Sequence, residues 1–155
     1  MDDLRVPKHR IAVEVLLSGG VPRRLALFLA EAASDHAGPE VPLDLLNGRH
    51  EFVPAFDEAA GGMTFLRLAG VPVVRVARTL DGDEDDLTLP TEHDVDVTLL
   101  DGSTLSGLVS FVRPPDRSRL ADVLNEPPPF LRLLQGELVA YVNKRHVACV
   151  ALRSR

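Results

Sequence analysis

The chain has 155 residues, 45% of them hydrophobic and 26% charged, with one cysteine, no tryptophan and a formal net charge of −6. That balance suits a chain that buries a core, and its length suits one ordinary domain or two very small ones. The lone cysteine rules out an internal disulfide and an all-cysteine metal site, and no apolar run approaches the roughly 20 residues of a membrane-spanning helix. The opening MDDLRVPKHR is charged from its second residue, unlike a secretion signal, so a cytoplasmic location is the expectation.

In chain order, residues 1–9 read as an N-terminal arm. Val13 to Gly20, VEVLLSGG, alternates apolar and polar residues and predicts a strand ending in a glycine turn. Pro22 to Ser34, PRRLALFLAEAAS, has helix-forming composition, yet its later counterpart LSGLVSFV is plainly a strand. Leu25 to Leu29 is therefore read as strand, since propensity is a weak prior. Leu43 to Phe52, LDLLNGRHEF, predicts a short helix and a corner, and LAGVPVVRV (68–76) a further strand. Residues 79–92, TLDGDEDDLTLPTE, hold six acids and no base, the signature of a solvated linker. Val95, Val97 and Leu99 again alternate, an Asp-Gly turn follows, and LSGLVSFV returns as a hairpin. RPPDRS (113–118) breaks the ladder, RLADVLN is one or two helical turns, and FLRLL and LVAYVNKRHVACVAL supply strands with a tight turn at NKRH.

The second half restates the first. Leu43 to Phe52 matches LADVLNEPPPF (120–130), VEVLLSGG matches VDVTLLDG, and LAGVPVVRV matches VNKRHVACV (142–150) without a gap. An internal duplication accounts for three blocks in the same order. The expected units are residues 10–78 and 93–155, joined by the acidic segment 79–92. The first unit has seven bases against eight acids and the second eight against seven, so the linker carries the net charge.

VTLLDGSTLSGLVSFV followed by GELVAYVNKRHVACV resembles an Sm-like or SH3-like small β-barrel, whose first block reads L.DG..L.G.L..F. The middle phrase RLADVLN…F is similar to RLSDxLN…F in small bacterial domains without an assigned activity. The resemblance implies a mainly β fold of two tandem small barrels with short helical turns. It also implies, through the turn Asn143, Lys144, Arg145 and His146, a candidate RNA contact. A PilZ-like reading, with cyclic di-GMP as ligand, is a further alternative. Arg5 and Arg10 precede the first strand one residue too far apart for the PilZ arm, and Gly107 falls one residue late for its turn.

No catalytic constellation is evident. The histidines, His9, His36, His50, His93 and His146, show no HxH or HxxxH spacing, so neither a metal site nor a cofactor is expected. His50 and His93 read as surface loop residues, and Cys149, within HVACVAL, as a buried inert thiol. The repeated Asp44 and Asp122 read as helix-start acceptors. Asn47 and Asn125 read as left-handed helix ends, with Phe52 and Phe130 closing each phrase. The expected function is a non-catalytic protein-interaction or scaffolding module with a protein partner. An Sm-like RNA binder is the alternative. Because HVACVAL is apolar on both faces and poorly guarded, a homodimer through that edge is expected.

Overall fold

The computed structural model describes residues 8–19, 21–33, 36–82, 90–112 and 119–153. The first half contains β1 (Lys8–Leu16), β2 (Pro22–Ala30), α1 (Pro42–Leu46), β3 (Phe52–Asp57), β4 (Gly62–Arg67) and β5 (Val73–Ala77). The second contains β6 (Thr91–Leu99), β7 (Thr104–Phe111), α2 (Leu120–Leu124), β8 (Phe130–Gln135), β9 (Leu138–Asn143) and β10 (Val147–Leu152). Both halves thus run ββαβββ, with a single 3-10 turn before the last strand, Leu68–Gly70 in one and Lys144–His146 in the other. The fold is mainly β, as expected. β2 is a strand through all of Leu25 to Leu29 because its side chains alternate between two covered faces, which outweighs helical propensity.

All ten strands belong to one antiparallel sheet in the order β10-β6-β7-β8-β9-β5-β1-β2-β3-β4. Two closed barrels do not form. β9, from the second half, pairs with β5, from the first, over Val73↔Val142 to Ala77↔Leu138, using edges that separate closure would need. Within each half the order is the same, 5-1-2-3-4, so β4 and β9 hold one position and β5 and β10 another. The two ladders fix the correspondence: Phe52↔Arg67 matches Phe130↔Asn143, and Pro54↔Phe65 matches Arg132↔Tyr141. The gap-free match of 68–76 with 142–150 is therefore two residues out. Four residues, 58–61, join β3 to β4, whereas only Gly136 and Glu137 join β8 to β9.

Two apolar cores lie on opposite faces of the central strands. Val74, Val76, Val139 and Tyr141 join the first, with Ile11, Leu27 and Phe130; Val73, Ala140 and Val142 join the second, with Val97, Val109 and Leu133. β9 is buried on both faces for that reason. The unit boundaries shift accordingly. Lys8 and His9 belong to β1 rather than to an arm, and Thr91 and Glu92 to β6 rather than to the linker. The proline break 113–118 and most of the acidic run, 83–89, lie outside the described residues.

Candidate functional site

The repeated phrase is mostly structural. Asp44 Oδ2 accepts the Val41 N–H at 2.9 Å and Asp122 Oδ2 the Arg119 N–H at 3.2 Å, each carboxylate closing the first turn of its helix. The His36 Nε2–Asp44 Oδ2 contact of 2.6 Å has no counterpart in the second half among the described residues. The left-handed helix end is not adopted: φ is −93° at Asn47 and −94° at Asn125. Neither amide needs it. Asn125 Nδ2 donates to the Ala121 carbonyl at 2.7 Å, while Asn47 Oδ1 reaches into the other half and accepts the Phe130 N–H at 2.9 Å. The two phenylalanines also part company, Phe130 being 4% exposed and Phe52 53%.

The basic turn is drawn into the same junction. Asn143 is buried, its Nδ2 donating to the Leu68 and Val71 carbonyls and its Oδ1 accepting the Arg145 N–H. Lys144 Nζ donates to the Val123 and Glu126 carbonyls at 2.8 and 3.1 Å, satisfying the end of α2. His146 Nε2 donates to the Ala69 carbonyl at 2.7 Å. Arg145 is exposed, beside a cavity of about 250 Å³ that also touches Arg49, His50, Pro129 and Phe130. Of the four candidate binding residues, three spend donors on backbone carbonyls of the chain itself.

Sequence reasoning missed a buried ionic group at the start of the acidic run. Asp81, counted with the solvated acidic run, is 4% exposed. Its carboxylate accepts from Arg132 Nε and Nη2, with Nε at 2.8 Å from Oδ2, and its Oδ1 accepts the Tyr141 hydroxyl at 2.5 Å. Burial, with the Asp81 carboxylate beside it, pushes the Tyr141 phenol above its ordinary range. A carboxylate, a guanidinium and a phenol so held can fix the chain leaving β5 against β8 and β9, which is a positioning task.

Two further sequence expectations are corrected. His93 lies in β6, not in a loop, with its ring stacked on Phe111 at 5.8 Å. Cys149 is exposed, because β10 is an edge strand paired only with β6. Among the described residues no three histidine, cysteine or acidic side chains converge to hold a metal.

The unpartnered feature is a face of β3 and β4. Phe52, Met63 and Phe65 are 53%, 54% and 66% exposed and stand on one side of the ladder with Phe56. Arg10 lies over the rings of Phe28 (5.5 Å) and Phe56 (4.6 Å), and Arg67 over Phe52 (6.0 Å). Four of the six phenylalanines of the chain thus gather on one side of one hairpin and its neighbour β2. Among the described residues no strand lies beyond β4, so its outer N–H and C=O groups form an open edge.

The turn behind this face is held by Asp57, which accepts from Arg23 Nη2 at 2.6 Å and from the Ala59 and Ala60 N–H groups. The Arg23 hydrogen bond, then that of the Ala60 amide, hold its carboxyl below the ordinary carboxylate range, and the Ser103 hydroxyl does the same for Asp101. A carboxyl whose folded pKa is depressed takes up protons more readily when unfolded, so its stabilisation is present above the ordinary value and fades as pH falls through the lower folded one. The urea midpoint is expected to drop as pH goes below about 4. In Asp57→Asn that drop is expected to be shallower, and an unchanged pH profile would count against the assignment.

No family model, curated protein or solved structure matches this chain.

Proposed function

We propose that the chain is a non-catalytic interaction or scaffolding module, built by duplication of a small Sm-like or SH3-like β unit, that works in the cytoplasm and binds protein through the β3–β4 face. The observation that carries this reading is the exposed cluster Phe52, Met63 and Phe65 next to an open strand edge. Aromatic residues and methionine are the side chains that interfaces favour, and contiguous exposed apolar surface marks places where a partner sits. The engaged donors of Asn143, Lys144 and His146 favour a protein over RNA as the partner.

A photoreactive benzoylphenylalanine placed at position 65 in the full chain, irradiated in cells, is expected to yield polypeptide adducts. Phe65→Glu alters the same face without touching the core, and a photoreactive residue placed instead at Met63 is expected to give several-fold fewer adducts when combined with Phe65→Glu than alone. Absence of polypeptide adducts, or adducts to RNA alone, would overturn the reading. Fluorescent single-stranded RNA titrated at low salt is expected to show no saturable binding.

A further inference from the structure

We infer that the β3–β4 face and β4 edge of one molecule receive the β10 edge of a second copy, head to tail, in the same ladder that joins the two halves within the chain. The inference rests on the interaction reading above and names its partner.

The internal junction is the template. β9 and β4 hold the same position in their halves, but β9 is covered by β5 while no strand of the described residues lies beyond β4. On the β8–β9 ladder, Phe130, Leu134, Val139 and Tyr141 face the first core and are buried. Their ladder equivalents on β3 and β4 are Phe52, Phe56, Met63 and Phe65, of which all but the half-buried Phe56 are left in the open. The strand that covers the first set is β5, through Val74↔Tyr141 and Val76↔Val139.

The other edge fits the same description. Glu14↔Arg75, Val15↔Val74 and Leu16↔Val73 in the β1–β5 ladder correspond to Asp96↔Ala151, Val97↔Val150 and Thr98↔Cys149 in the β6–β10 ladder. Val73, Val74 and Val76 are fully or almost fully buried, whereas their equivalents Cys149 and Leu152 are exposed and Val150 is half-buried. Each open edge therefore lacks the very surface that the other presents. An apolar strand and an aromatic face have equivalents that already pair, in this chain, with a fixed register. Carried over, that register sets Val150 opposite Phe65 of the second copy, Ala151 opposite Thr64 and Leu152 opposite Met63.

The two joined surfaces differ, so one of each kind stays open at the ends until the assembly closes into a ring. An isologous dimer, with β4 against β4, would leave both β10 edges uncovered. The edge exposed by Cys149 and Leu152 favours the head-to-tail form.

The test uses the full chain carrying Cys149→Ser, with Thr64→Cys and Ala151→Cys together and each alone. Thr64 is half-buried and Ala151 exposed, so neither change reaches the core, and far-ultraviolet dichroism checks that each variant folds. A short bis-thiol reagent at tens of micromolar protein is expected to link the double variant into covalent dimers and larger multimers, while each single variant stays a single chain on a denaturing gel. Light scattering on the wild type is expected to give one discrete mass of two or more chains, falling to that of one chain in Phe65→Glu. A monomeric wild-type mass, or single variants that link to themselves as fully as the double variant, would overturn the inference. If position 65 still gives polypeptide adducts when the wild type is monomeric, head-to-tail pairing alone has failed. Loss of all such adducts would instead remove the broader reading.

Discussion

Asp81→Ala is expected to lower folding stability by about 3–5 kcal/mol, read as a fall in the urea midpoint at fixed protein concentration. The side chain is 3% exposed and accepts from Arg132 Nε, Arg132 Nη2 and the Tyr141 hydroxyl. Arg132 is itself only 21% exposed, so the deletion takes a charged acceptor away from a cation and a phenol where water reaches poorly. Most of the loss comes from what those desolvated groups no longer have as an acceptor, not from the worth of the pair. Two companion variants separate these contributions. Tyr141→Phe removes one hydrogen bond and leaves Asp81 and Arg132 together, so about 1 kcal/mol is expected. Replacing both ions at once, Asp81→Leu with Arg132→Met, leaves no buried charge unpaired and is expected to cost less than Asp81→Ala alone. A loss within about 0.5 kcal/mol of wild type, the usual scale for a surface substitution, would return Asp81 to the solvated linker.

That residue also shows where reading the chain from its sequence stops. Alternation marked Val95, Val97 and Leu99 as facing inward, and they do, because side-chain period is a local property of a strand. The strand at Leu25 to Leu29 was legible through its counterpart in the second half, although its own composition argued for helix. What local pattern cannot carry is which strand lies beside which. Asp81 stands in a run of acids, and its partner Arg132 is 51 residues away, so charge density alone favoured solvent. Asn47 has the right residue type for a left-handed helix end, but a backbone N–H 83 residues later claims its oxygen. Cys149 sits among apolar neighbours that suggested burial, yet at the sheet edge Ala148, Ala151 and Leu152 are exposed with it and Val147 and Val150 are only half-buried. The β5–β9 ladder, which covers Val139 and Tyr141 while their equivalents Met63 and Phe65 stay exposed, joins segments with no sequence signal for each other. The basic turn was found as a cluster, but its donors were already needed by the backbone carbonyls that the fold brings beneath it.

Gly107→Ala is expected to destabilise the chain by about 1–3 kcal/mol, and Gly107→Val by more. Gly107 lies inside β7, opposite Val95, where a glycine weakens a strand unless something comes close enough to require it. Here two things do. A Cβ at this position would stand 2.6 Å from Leu133 Cγ and 2.6 Å from the Leu134 carbonyl oxygen. The leucine side chain could turn aside, although it is fully buried, but the carbonyl belongs to β8 and moves only with its strand. β7 and β8 share a single ladder pair, Leu108↔Leu134, so there is little pairing to absorb a displacement. Pushing β8 away would also disturb Leu133 and Leu131, which line the second core. Gly70→Ala is the control: nothing lies within 4 Å of a Cβ there, and a change within about 0.5 kcal/mol is expected. Chemical denaturation of the three variants beside wild type decides the matter. If Gly107→Ala unfolds with the wild-type midpoint, the close approach of β7 and β8 does not hold in solution.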